Sequence, residues 1–215
     1  DDSEVRVRFR VLGQTEWRPA MLLFATPAHS NAGHSWSARH AGSLFGLQPG
    51  TAHEIELQRF QAGQLAETRI LQASTRVPMQ PAVGGLLRPA TPATLSNVLA
   101  SVEPGDIVLL GSGVYAGFSP SRDGTDGQVI TLRGQPGARI EGEIGLFFRQ
   151  YWLLEDLHVV GRVRLNGSSD VTVRRSQIDA SATQFNGDAI VCFLRCERLH
   201  LADNTLNGTT VWDEN

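Results

Sequence analysis

The sequence predicts an all-β chain in two differently built halves, a small β-sandwich followed by a parallel β-solenoid with a short helix at its start. Three observations carry this. Apolar and charged residues alternate with period two through Val5–Val11 and again through Glu54–Gln58, the pattern of half-buried strands. A stretch rich in proline and glycine, Val77–Pro92, separates the halves. Beyond it, an apolar-x-apolar-polar pattern recurs at Ile130, Trp152, Val171 and Leu199, with spacings of 22, 19 and 28 residues.

Composition bounds the function. Of 215 residues, 41% are hydrophobic and 19% charged, enough apolar material for a core and too much for a disordered chain. A net charge of −3 gives no electrostatic footprint for nucleic acid. No apolar run approaches the roughly 18 residues of a transmembrane segment. All 19 basic residues are arginine, so chemistry that needs a lysine base or Schiff base cannot come from this chain.

In the first half, Val5, Val7, Phe9 and Val11 alternate with Arg6, Arg8 and Arg10, which predicts a strand with an arginine face. Ile55 and Leu57 alternate with Glu54, Glu56 and Gln58 in the same manner. Leu47-Gln48-Pro49-Gly50-Thr51-Ala52-His53 resembles the E–F corner of fibronectin type III domains, with His53 in place of the corner tyrosine. Val5–Arg10 with Gly13 and Trp17 is similar to that fold's strand C and the turn after it, and Thr75–Pro78 to its last strand. The resemblance implies a fibronectin type III-like β-sandwich over residues 1–78 whose first strands are missing.

Residues 79–90 read as a linker and 91–215 as the solenoid. Thr91 is placed to cap a helix that has Pro92 at its first position and an apolar stripe of Leu95, Val98, Leu99 and Val102. Ile107–Leu110 follows as a buried strand. Within the repeats, Val159, Ile178 and Leu206 each fall seven positions after the unit's first residue, and shorter strands are expected at Ile140–Leu146, Val163–Leu165 and Ala189–Leu194. About five coils are expected, with no cap at the C-terminal end. The capping helix, Gly105–Leu109 with Gly113-Val114-Tyr115, and Gly124-Thr125 leading into Val129–Gly134 resemble right-handed parallel β-helix proteins of the pectate-lyase-like superfamily. Within it, the polysaccharide lyase family of chondroitinase B and alginate lyases is the most similar. Both ends read as unfinished, as if the chain were part of a longer protein.

A β-helix exposes ladders of side chains along which an extended polymer can lie. Arg162, Arg164, Arg174 and Arg175, with Asn166, Asn186 and Asp188 nearby, form the candidate ladder. Guanidinium forks match carboxylate or sulfate, so such a face suits an acidic polysaccharide; a solvated arginine face balanced by Asp156, Asp170 and Asp179 is the other reading. The lyase resemblance implies calcium and, on later rungs, a lysine and an arginine. None of these can be placed in this chain, so no catalytic residue and no cofactor is assigned. Glu155-Asp156 and Asp203-Asn204 carry oxygen ligands suited to calcium, but turn formation explains them better. His29, His34 and His40 lack helical spacing and a carboxylate, and no metal site is assigned. Cys192 and Cys196 are expected as buried thiols. Two functions stay open. One is part of a secreted or cell-surface protein that binds or processes an acidic polysaccharide. The other is a noncatalytic extracellular adhesin, sheath or filament subunit that self-associates through open strand edges.

Overall fold

A computed structural model of the chain describes residues 3–31, 33–181 and 187–208. About 54% of the chain is strand, and one short helix is described. The chain divides into two compact units, Asp1–Pro78 and Met79–Asn215.

The first unit is built on β1 (Ser3–Val11), whose alternation buries Val5, Val7 and Phe9 and turns Arg6, Arg8 and Arg10 outward. With β2 (Arg18–Pro19), β7 (Ala52–Gln61) and β8 (Gln64–Ser74), it forms a four-stranded antiparallel sheet of order β2-β1-β7-β8. Between β2 and β7 in the chain lie two ribbons: β3 (Phe24–Thr26) pairs with β6 (Arg39–Ala41), and β4 (His29–Asn31) with β5 (His34–Trp36).

Cross-strand register explains the arginine face. Arg8 lies opposite Glu56 and Arg10 opposite Glu54. Arg8 reaches Glu56 with two bonds of 2.9 and 3.0 Å. The Trp17 ring takes the guanidinium of Arg8 at 4.8 Å and that of Arg10 at 4.3 Å, contacts worth about 0.5–1 kcal/mol each. This face is therefore engaged in its own ion pairs and stacking. His53 is buried, its Nδ1 is 2.9 Å from the Thr51 carbonyl, and its ring meets Phe9 edge-on.

The second unit is a parallel β-solenoid of about four turns. It opens with β9 (Leu87–Ala90), α1 (Leu95–Ser101), β10 (Ile107–Leu110) and β11 (Gly113–Phe118). Then come β12 (Ile130–Gly134), β13 (Ala138–Gly145), β14 (Gln150–Glu155), β15 (His158–Arg164), β16 (Ser169–Arg174) and β17 (Gln177–Asp179). The described part closes with β18 (Ile190–Val191), β19 (Glu197–Ala202) and β20 (Thr205–Asn207). One sheet has the order β19-β16-β14-β12-β10-β9. The other runs β11-β13-β15-β17-β20, with β18 also paired to β15.

Register matches the sequence repeat residue by residue. Ile130 pairs with Trp152, Trp152 with Val171 and Val171 with Leu199, while Val159, Ile178 and Leu206 form a second column. Ile130, Trp152, Val171, Val159 and Ile178 are fully buried, each contributing about 1.5–3 kcal/mol by leaving water. Unequal spacings are absorbed between strands. Turn residues Asp156, Arg175 and Asp203 stack as a column with left-handed φ of 56°, 49° and 55°, a conformation that Asp tolerates better than most residues.

Five expectations are corrected. The coil count of about five becomes about four turns. Residues 79–90 are not a linker: Ala82 is buried, and β9 is the first strand of the solenoid sheet. Its proline is tolerated for a geometric reason. The Ile107 and Gly111 amides donate to the carbonyls of Leu86 and Ala90, so even-numbered residues of β9 face β10. Pro89 thus stands at an outward-facing edge position where a missing N–H breaks no ladder bond. The helix starts at Leu95 with Thr94 rather than Thr91 at its N-cap position, since the Thr94 hydroxyl turns back to accept the Thr91 amide at 2.9 Å. Finally, the strand expected at Ala189–Leu194 is only Ile190–Val191, because Cys192 and Cys196 close a tight loop as a disulfide instead of standing as buried thiols.

Candidate functional site

The structure separates the predicted arginine ladder into two groups. Arg174, at the end of β16, and Arg175, in the turn after it, belong to one sheet edge. Arg162 and Arg164 belong to β15 in the other sheet. The first group is a closed ionic cluster. Glu155, with no exposed side-chain surface, is held by Arg133 at 2.6 Å, Arg174 at 2.7 Å and Arg175 at 2.8 Å. Burial alone would push its carboxyl up, but hydrogen bonds from Arg174, Arg133 and Arg175 outweigh it and hold the group below the usual carboxylate range. Asp156 is held down chiefly by its hydrogen bond from Arg175. Arg174 also donates to the Met79 carbonyl at 3.0 Å, which ties the opening segment of the unit to the β16 rung.

This arrangement does not fit calcium. Glu155 spends its oxygens on guanidiniums, and Asn204 Oδ1 accepts the Ser176 amide while its Nδ2 donates to the Val173 carbonyl. No group of three His, Cys, Asp or Glu side chains in metal-holding geometry occurs among the described residues. His29 instead meets Trp36 edge-on across its ribbon, and His40 Nε2 lies 3.3 Å from the Ser3 carbonyl.

The second group is a different kind of site. Ile144, Val163 and Ile190 are in register on successive passes of the second sheet. Phe147, Asn166 and Phe193 each lie three residues further along the chain, and both rings are near Arg164. The Arg164 guanidinium lies 5.3 Å from the Phe147 ring centre and 5.9 Å from that of Phe193. Asn166 is buried and links these three segments. Its side-chain Oδ1 accepts the Phe193 amide at 3.0 Å, and its carbonyl accepts the Phe148 amide at 2.9 Å. Gly145 leaves room for the Phe147 ring, which a Cβ there would strike.

Charge is unevenly shared at this place. Glu143 binds Arg162 closely, and Arg164 NH1 reaches the same carboxylate only at 4.0 Å. The Arg164 Nε–H is buried and meets no acceptor among the described residues. A buried donor without a partner costs about 1–3 kcal/mol, more for a charged group. Around it, Phe148 and Phe193 are 62% and 67% exposed. Asp188 is exposed in the loop before β18, and Asn186 lies outside the described residues.

Sequence reasoning named Arg164 and Asn166 but not the phenylalanines. The available signal was their shared offset from the repeat: Phe147 and Phe193 occupy the same position on passes that flank Asn166.

No protein-family model matches the chain, and no curated protein does. Among solved structures it is similar to the PL6 family alginate lyase AlyGC, at 23% identity and a TM-score of 0.42, over 54% of this chain and 18% of that one. A mutant of that enzyme matches at 22% identity and the same TM-score, over 54% and 19%. The chain therefore spans less than a fifth of the length of either.

Proposed function

We propose that the chain binds an acidic polysaccharide at the Phe147–Arg164–Phe193 platform, as part of a secreted or cell-surface protein. The observation that carries this reading is the partly exposed Arg164 guanidinium, which lies 5.3 and 5.9 Å from the centres of two phenyl rings. Phenyl faces accept the C–H faces of sugar rings, and a guanidinium fork takes a carboxylate with two parallel bonds. The two together select a sugar acid over a neutral sugar. The disulfide supports an oxidising compartment outside the cell. Phe147, Arg164, Asn166 and Phe193 include no general base, so this site holds and neutralises its ligand. Any lyase step, with its calcium, is assigned to rungs outside this chain.

Calorimetric titration with alginate oligomers, and with a neutral oligosaccharide of equal length, tests the reading. The uronate is expected to bind, more weakly at high salt, and Arg164→Gln is expected to lower affinity about tenfold or more. Arg139→Gln, which removes an exposed pair with Glu141, is expected to change nothing. Equal binding of the neutral sugar, or full affinity in Arg164→Gln, would defeat the proposal.

One observation favours the second reading, self-association through the last rung. Leu206 is in register with fully buried Ile178, yet it is 47% exposed. Sedimentation at rising concentration checks this: assembly that Leu206→Glu abolishes supports it, and a monomer throughout the range rules it out.

A further inference from the structure

We propose that the Cys192–Cys196 disulfide is a positioning clasp that holds Phe193 against Arg164, so that the affinity of the platform depends on the redox state of this one bond. This rests on the binding reading above. The five residues Cys192-Phe193-Leu194-Arg195-Cys196 form a loop closed by the disulfide, with Cα atoms 6.3 Å apart at its base. Its tip carries Phe193 and Leu194, which are both exposed. Large apolar side chains that remain in water gain little from burial, so burial does not fix where they stand. Position comes instead from the covalent closure and from three backbone anchors. The Phe193 amide donates to Asn166 Oδ1 at 3.0 Å, the Gly167 amide to the Leu194 carbonyl at 2.6 Å, and the Glu197 amide to the Ser168 carbonyl at 3.0 Å. The first two lie inside the loop. They survive only while the loop keeps its shape.

The bond is reachable. Cys192 is exposed, so an external dithiol can attack its sulfur directly. In that step the dithiol's thiolate forms a mixed disulfide as the Cys192–Cys196 bond breaks. Its second thiol then closes the dithiol to its own disulfide and leaves two protein thiols, a balanced transfer of two electrons and two protons. The opened loop regains the conformational freedom that the cross-link removed, and Phe193 leaves Arg164 for part of the time. The guanidinium then loses one of its two aromatic faces, and a ligand must order the loop again on binding.

Hydrogen exchange and binding, measured on the full chain before and after reduction by dithiothreitol, test this together. On reduction, the Phe193 and Gly167 amides are expected to exchange at least about tenfold faster, while amides of the buried rungs such as Leu154 keep their protection. Affinity for alginate oligomers is expected to fall about tenfold. The double substitution Cys192→Ser with Cys196→Ser is expected to reproduce the reduced protein and to be insensitive to dithiothreitol. Unchanged exchange at Phe193 and Gly167 would overturn the clasp, as would loss of protection throughout the solenoid. Faster exchange with undiminished uronate binding would overturn its role in affinity. Faster exchange with no uronate binding in either state would uphold the clasp and overturn the polysaccharide reading instead.

Discussion

Gly161→Ala is expected to cost the solenoid about 3 kcal/mol or more, read as a lowered urea midpoint. Two effects add there. The residue sits at φ 151°, a region that side chains rarely enter, and a Cβ would strike the Gly142 carbonyl oxygen of the neighbouring rung. Gly142 and Gly161 are in register, and Gly117 approaches the Glu143 amide of the next rung, so successive backbones of the second sheet touch here. The obstacle is backbone, not the end of a flexible side chain, so it cannot swing away. A midpoint within experimental error of the parent protein would show that the rungs slide apart at low cost and that this close approach is not required.

Glu155→Gln is expected to be the next most damaging change, at about 2–3 kcal/mol. Removing one partner of a buried ion pair typically costs about 3–5 kcal/mol, and part of this is discounted here because Arg133 and Arg175 are partly exposed to solvent. The pH dependence follows from the direction of the shift. The folded carboxyl is held below its ordinary value of 4.5, so the unfolded chain takes up protons first. The stabilisation is complete above about pH 4.5 and is lost as pH falls through the lower, folded value. Stability measured from pH 7 to pH 3 is expected to fall steeply in the parent and more gently in Glu155→Gln. Parallel curves would mean that Glu155 does not drive acid unfolding.

Much of the solenoid was readable in advance because its demands are local and repeated. Each rung needs an apolar residue facing inward at a fixed place, and Ile130, Trp152, Val171 and Leu199 announced both the strands and their register. The arginine ladder was not readable in the same way. Arg164 and Arg174 look alike in sequence, each near the end of an alternating strand, but which sheet a strand joins is decided by where the coil turns. The platform was half legible: Arg164 and Asn166 carry obvious chemistry, whereas residue type alone does not set half-buried Phe147 and exposed Phe193 apart from other phenylalanines. Val77–Pro92 misled for a physical reason, since prolines that mark linkers are also acceptable on the outer side of an edge strand.

That proline has a consequence for stoichiometry. At the β9 edge, a strand arriving from solvent would need donors from Leu87 and Pro89, and Pro89 has none to give. Pairing there would be lopsided, which is a known way of keeping an edge from being used. Among the described residues the rung of β19 and β20 carries no proline, so copies that join through that edge would meet like with like. A contact of like with like closes on itself. Association through that rung alone therefore yields pairs, whereas a fibre would require a second surface.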